Sequence, residues 1–372
     1  MALRVQDVVA ALDRVAPFRL AYDWDNVGLQ IGDSKQKVEA IAVGLEVTSE
    51  FLKFAQRHCC QMLLVHHPLI FSPLKRLVQG THAVDLAVNI IRLEMALAVA
   101  HTNLDRVAWG TNGILADLLG LENRRPVEPT SLEEQFKFTV FVPINHVSPL
   151  IEAIHRGGGG WIGKYSHCTF RASGTGTYLP EVGANPYQGS VGKLEEAEEV
   201  RLEAIVPKRS LGAVIHEVLA VHPYEEVAYD VYPLVETNPR AGLGVIGTLP
   251  KALTLGELAK KVAKVCDANC TTLAGDRKIK VERIAIVTGS AGSTVDTITR
   301  DVADVVVTGE LGYHKACELV ERGVALVCAG HAATEKIVAP ALAKLVANEL
   351  GSRGEALRWH VFQDYADPCE PL

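Results

Sequence analysis

The chain has 372 residues, 48% of them hydrophobic and 22% charged. At roughly 150 residues per domain that is room for two or three domains with full cores, and it excludes both a single small module and a disordered chain. Lys plus Arg number 37 against 44 Asp plus Glu, a net charge of -7, so no global attraction to polyphosphate exists and nucleic acid is not expected as a partner. No run of 18 uninterrupted apolar residues occurs, and the start, Met1-Ala2-Leu3-Arg4 followed by Asp7, lacks an apolar export segment; no membrane partner and a cytoplasmic location are expected. The eight cysteines form no C-x-x-C pair and read as thiols in a reducing compartment.

In chain order, Val5, Val8, Val9 and Leu12 recur at helical spacing, Ile41–Leu45 is extended and apolar, and a helix over Phe51–His58 begins near Thr48. Met62–Val65 and Met95–Ala100 are the continuous apolar runs of strands covered on both faces, separated by a helix that Thr81 caps and that ends near Arg92. The last third repeats the rhythm at Ile284–Val287, Val305–Val307 and Ala325–Cys328, each predicted to lead into a helix. The fold class is therefore α/β, with one layered core split between the two ends of the chain.

The middle differs. Strands at Phe136–Val142, His167–Thr177, Val200–Val206 and Val227–Leu234, with helices at Val147–His155 and Ser210–Ala220, give the order βαββαβ of a ferredoxin-like α+β sandwich. Prolines and glycines at both edges place it as an insertion: core 1–128, inserted domain 129–237, core 238–372.

Five core strands run into polar or glycine clusters: His66-His67-Pro68, His101 to Asp105, Gly289 to Gly292, Thr308-Gly309-Glu310 and Gly330-His331. Ligands of open α/β sheets bind outside the carboxyl ends of strands, so these clusters are expected to share one crevice. At a strand end the imidazoles of His66 and His67 splay and can serve different ions. His331 and Glu335 are four apart at a helix start and project from one face, and His101 and Asp105 repeat the interval. Together they supply the histidines and carboxylates of a dinuclear site at which a bridging water is acidified. Mixed His/carboxylate ligation suits Zn, Mn, Fe, Co or Ni over Mg or Ca.

These residues resemble the Nif-three-like family of dinuclear-metal-centre proteins, which includes the GTP cyclohydrolase 1 type 2 homologues. The resemblance spans essentially the whole chain, through Asp25-Asn26-Val27-Gly28-Leu29-Gln30-Ile31-Gly32, His66 to Phe71, His101 to Asp105, Thr308-Gly309-Glu310 with His314, and Gly330-His331 with Thr334-Glu335. It implies metal ligation by His66, His67, Asp105, His331 and Glu335, the glutamate bridging, with His101 close by. It implies two divalent ions per chain, a toroidal homohexamer, and a PII-like or CutA-like insertion carrying His222-Pro223-Tyr224-Glu225-Glu226. Ala332 stands where many members carry Tyr.

No G-x-G-x-x-G or G-x-x-x-x-G-K-[ST] loop occurs. Asp25 and Asn26 either line the crevice or form an Asx turn, and Gly289–Ser293 is either a phosphate-binding helix start or a tight turn. Glu310 and His314 read as substrate-side acid/base groups or as a surface pair, and His222 with Glu225 and Glu226 reads as structural or effector-binding. The functional expectation is a metal-dependent hydrolase of a nucleotide-like small molecule, with Glu335 and His101 as the catalytic groups. The alternative is a non-catalytic metal-handling or metal-responsive interaction protein.

Overall fold

A computed structural model describes residues 2–131, 133–235 and 241–365. Cys369 and the expected boundary at 237/238 lie outside them. The chain divides into two compact units, one of Met1–Thr130 with Pro239–Leu372, the other Ser131–Asn238.

The first unit holds two main sheets. One has five strands in the spatial order Gly28–Ile31, Ala96–Val99, Met62–Val65, Ala40–Gly44, Arg358–Val361, all neighbours parallel except the antiparallel Gly28–Ile31 edge. Met62–Val65 and Ala96–Val99 are wholly buried, as continuous apolar runs require when helices cover both faces. Helices Ser49–Arg57 and His82–Arg92 contribute Phe51, Leu52, Leu86 and Ile90 to that core. Truncating a fully buried leucine such as Leu63 to Ala would cost about 2–5 kcal/mol. Thr48 caps the first helix through the Phe51 N–H, whereas Thr81 stands at the N-cap of the second without its hydroxyl accepting a hydrogen bond.

The other sheet has six strands ordered Thr272–Ala274, Ala325–Cys328, Val305–Glu310, Lys280–Ser290, Val245–Thr254, Glu122–Arg125. Its middle strands Lys280–Ser290, Val305–Glu310 and Ala325–Cys328 are parallel. Helix Tyr313–Glu321 follows Val305–Glu310 and helix His331–Glu335 follows Ala325–Cys328 as expected, but Lys280–Ser290 runs only into the short 3₁₀ turn Thr294–Thr297. Gly289 and Gly292, both at positive φ, turn the backbone out of the right-handed helical region just where the helix was expected to begin.

The inserted unit is a four-stranded antiparallel sheet in the order Tyr229–Pro233, Gln135–Pro143, Glu195–Pro207, Thr169–Tyr178. Its core unites Leu150 and Ile154 of helix Val147–Arg156 and Val214 and Val218 of helix Leu211–Val221 with Phe138, Val140 and Leu202 of the strands. That is the ferredoxin-like arrangement, so an α/β core with an inserted α+β unit is the architecture. Among the described residues no helix is long and apolar enough to cross a membrane.

Candidate metal centre

The carboxyl ends of the parallel strands in the two core sheets meet at one place. From the five-stranded sheet, His66 and His67 follow Val65, both donating their backbone N–H to the Leu45 carbonyl, at 3.0 and 2.8 Å. His101 follows Val99-Ala100, and the short helix Thr102–Asp105 carries Asp105. From the six-stranded sheet, helix His331–Glu335 presents both of its terminal side chains.

His66 is fully buried. Its Nδ1–H donates to the Ala100 carbonyl at 2.8 Å, so Nε2 carries the lone pair, and that Nε2 has no hydrogen-bond partner. It lies 3.5 Å from Asp105 Oδ1 and 3.9 Å from Glu335 Oε1. Burial pushes this imidazole down to about 3, so it is neutral and an acceptor. His67 Nε2 lies 2.8 Å from Glu335 Oε2, with Glu46 Oε2 3.6 Å from its Nδ1. Burial opposes its charged form, but the two glutamates outweigh burial and raise it to about 10. His331 Nε2 is 3.1 Å from the same Glu335 oxygen, and its Nδ1 faces Glu310 Oε1, also at 3.1 Å. Glu335 raises His331 to about 9 against the effect of burial.

Glu335 itself is buried. Burial would lift its carboxyl, yet the hydrogen bonds from His331 and His67 hold it far below the usual carboxylate range. Its two oxygens face different imidazoles, Oε2 toward His67 and His331, Oε1 toward His66. Asp105 accepts a short hydrogen bond from the Thr111 hydroxyl, and burial with the Glu335 charge pushes its carboxyl up.

The geometry thus brings His66, His67, His101, Asp105, His331 and Glu335 together. Two overlapping groups, His66/His67/His101 and His67/His331/Glu335, each place their ligating atoms within 4.8 Å of one another. A buried imidazole nitrogen without a partner, pointed at carboxylates among further imidazoles, is what a cation would satisfy, and the donor set fits a borderline divalent ion.

His101 is held differently. Its Nδ1 is 2.9 Å from Asp25 Oδ1, while Asp25 Oδ2 accepts from Thr102 N–H and hydroxyl at 3.1 and 2.5 Å. Burial works against ionisation of Asp25, but His101 and Thr102 prevail and bring it to about 2. The Asx-turn bond, Asn26 N–H to Asp25 Oδ1 at 2.8 Å, coexists with this role, so both readings of Asp25 apply.

The Gly289 N–H is not free for a phosphate. It donates to Thr334 Oγ1 at 3.0 Å, and at φ +63° a side chain here would drive Cβ to 2.1 Å from Glu335 Oε1. Glu310 meets His331, 21 residues on, and not His314, four residues on, with which spacing paired it. Glu46, Thr111 and the Ala100 carbonyl were not anticipated; only their contacts across the crevice reveal them.

A sequence profile of the Duf34/NIF3 (NGG1p interacting factor 3) family matches residues 3–368. A Halalkalibacterium halodurans protein named GTP cyclohydrolase 1 type 2 homolog is 36% identical over 326 residues, covering 88% of each chain. A Bacillus subtilis protein of the same name is 36% identical over 333 residues, covering 90% of this chain and 89% of its own. The solved structure of a Bacillus cereus protein related to NIF3 superposes over 100% of both chains with a TM-score of 0.81 at 34% identity. With the whole length matched at this identity, the chain belongs to the Duf34/NIF3 family.

Proposed function

We propose that this chain is a metal-dependent hydrolase holding two divalent ions, zinc among the suitable metals, in His66, His67, Asp105, His331 and Glu335. The observation that carries this reading is the buried Nε2 of His66, left without a partner and facing Asp105 and Glu335. The division of the Glu335 oxygens between His66 on one side and His67 and His331 on the other supports a bridging role. Bound there, two ions supply Lewis-acid polarisation and acidified water.

The protein's own groups do the rest. His101, its Nδ1–H given to Asp25, keeps Nε2 for taking up and returning a proton, and the Asp25 carboxylate stabilises the imidazolium formed. Glu310 orients His331 through Nδ1. The names of the curated relatives make GTP the first substrate to assay, within a class of nucleotide-like small molecules. The working form is a toroidal homohexamer in the cytoplasm.

Metal content per chain by elemental analysis, followed by GTP turnover on the same samples, tests this with wild type and Glu335→Gln. Near two ions with turnover, both reduced in the variant, is the expected result. Two exchangeable ions without turnover on any nucleotide would replace it with a metal-handling role, and no stoichiometric metal after reconstitution would overturn it.

A further inference from the structure

The inserted unit contains a cavity of about 320 Å³ remote in sequence from every residue of the metal centre. The rings of Tyr178, Tyr187 and Tyr224 wall it. Tyr178 and Tyr224 lie 6.3 Å apart between centroids at 56°, and Tyr187 and Tyr224 lie 5.9 Å apart at 42°, so the rings form a partial box and not a stack. Its charged lining consists of four glutamates, Glu181, Glu199, Glu225 and Glu226, with no lysine or arginine among the lining residues.

The box is held in place by bonds that do not involve a ligand. His222, from the segment singled out in the sequence, gives its Nε2–H to the Phe141 carbonyl at 3.0 Å and accepts the Tyr224 N–H at Nδ1, 3.1 Å. Both nitrogens are therefore occupied, and His222 positions Tyr224 without being a ligand. His146 Nε2 is 3.1 Å from Tyr187 Oη, Tyr178 Oη donates to the Gln188 carbonyl at 2.8 Å, and Glu225 Oε1 accepts the Asn185 N–H at 2.8 Å. Gly176 matters for what it lacks: a Cβ there would sit 2.2 Å from Glu199 Oε2, so the glycine makes the space this half-buried carboxylate occupies. Burial, with the hydroxyl beside the Glu199 carboxylate, pushes the Tyr224 phenol up, so it stays a neutral ring.

Aromatic faces and carboxylates favour the same thing, a positive charge that is poorly hydrated. A hard metal ion would ask for carboxylate oxygens converging on a point, and among the described residues no His/Cys/Asp/Glu group of metal-binding closeness occurs here. The volume is at the small end of ligand cavities, about 300–1,000 Å³. We infer that the cavity bounded by Tyr178, Tyr187, Tyr224 and Glu199 is a binding site for a small organic ammonium cation. The ligand's charged nitrogen would sit against the ring faces, with Glu199 and the rim glutamates neutralising it. This assignment stands whether or not the metal centre is catalytic.

The test is isothermal titration of the full chain with choline and with 3,3-dimethyl-1-butanol, its neutral counterpart of like shape, and with calcium as a third titrant. Saturable binding of choline, at least tenfold weaker binding of the neutral alcohol, and tenfold or greater weakening in both Tyr187→Leu and Glu199→Gln are expected. Tyr187 is over half exposed, so its variant keeps the fold, which an unchanged melting temperature and an unchanged metal content verify. The absence of saturable choline binding would overturn the assignment. So would equal binding of the alcohol, or calcium bound in place of choline and lost in Glu199→Gln.

Discussion

His66 gives its Nδ1–H to the carbonyl of Ala100 at 2.8 Å, a bond between the ends of two neighbouring parallel strands. The strand pairing itself fixes which nitrogen of a buried histidine stays bare. A cation at Nε2 is then met by an imidazole whose tautomer and direction are already set.

His66→Phe keeps a flat ring, somewhat larger than the imidazole, and removes both nitrogens. Metal content should fall by at least one ion per chain, while metal-free stability falls by about 1–3 kcal/mol, because the buried Ala100 carbonyl loses its donor, a cost that removing the bare Nε2 offsets in part. Elemental analysis and denaturant unfolding of the metal-free forms measure both. Full metal occupancy in the variant would remove His66 from the ligand set.

Removing metal should lower stability by mass action, since the unfolded chain cannot assemble ligands 268 residues apart, as His67 and Glu335 are. At a free metal concentration a hundredfold above Kd the stabilisation is about 2.7 kcal/mol. Thermal unfolding with a chelator, then with added zinc or manganese, should show a drop and its recovery. Identical melting in both states would contradict a site of this kind.

Asp304 sets a pH dependence away from the metal. It is buried, its Oδ2 accepts the N–H groups of Glu282 and Arg283, each at 2.9 Å, and its Oδ1 meets Arg283 and Arg300 at 2.8 and 3.0 Å. Burial opposes the charge, but these donors win and hold the carboxyl below its ordinary value. A carboxyl lowered on folding stabilises fully above the unfolded value, near about 3.9, and loses that contribution as pH falls through the folded one. Asp304→Asn should therefore cost about 2–3 kcal/mol at neutral pH, with the gap to wild type closing below about pH 4. Urea unfolding across that range checks the sign; a gap that widened in acid would refute it.

Gly289 lies directly against the bridging candidate Glu335. Gly289→Ala places a methyl against Glu335 Oε1 and requires φ +63° of a residue with a Cβ. Glu335 must move, so metal content should drop together with a stability loss of about 1–3 kcal/mol. Unchanged metal binding by elemental analysis would show that the carboxylate has room the geometry denies it.

Local patterns were legible because their causes are local. Met62–Val65 and Ala325–Cys328 stand at the predicted residues, since continuous apolar runs bounded by turns leave few alternatives. The order of elements in the insert was readable for the same reason. Arg358–Val361 escaped notice, being polar at alternate residues and a strand only through its pairing with Ala40–Gly44. The outer partners of the site escaped for a related reason. Asp25 was placed at the crevice, but its pairing with His101, 76 residues on, was not, and Glu46 reaches His67 only once Leu45 has taken both histidine N–H groups. Spacing finds pairs four apart on one helix, such as His331 and Glu335, and mispairs Glu310 with His314 because the real partner comes from the helix that follows the next strand.

Asp25→Asn probes the proton group most directly. The amide keeps the size of Asp25 and, turned to offer its oxygen to His101 Nδ1–H, leaves the imidazole where it is; turned the other way, it donates to Nδ1 and moves the proton to Nε2. Thr102 favours the second outcome, since its N–H and hydroxyl both donate to the side-chain oxygen that then faces them, whereas the first sets the amide NH2 against the Thr102 N–H. Either way the negative charge that stabilises a His101 imidazolium is gone. Metal content should stay near wild type, because Asp25 reaches the centre only through His101. Turnover of whichever nucleotide proves to be a substrate should fall by about 10²–10⁴. A variant that lost metal and turnover in step would make Asp25 a support for the ligands, and one that kept full turnover would exclude His101 from the proton step.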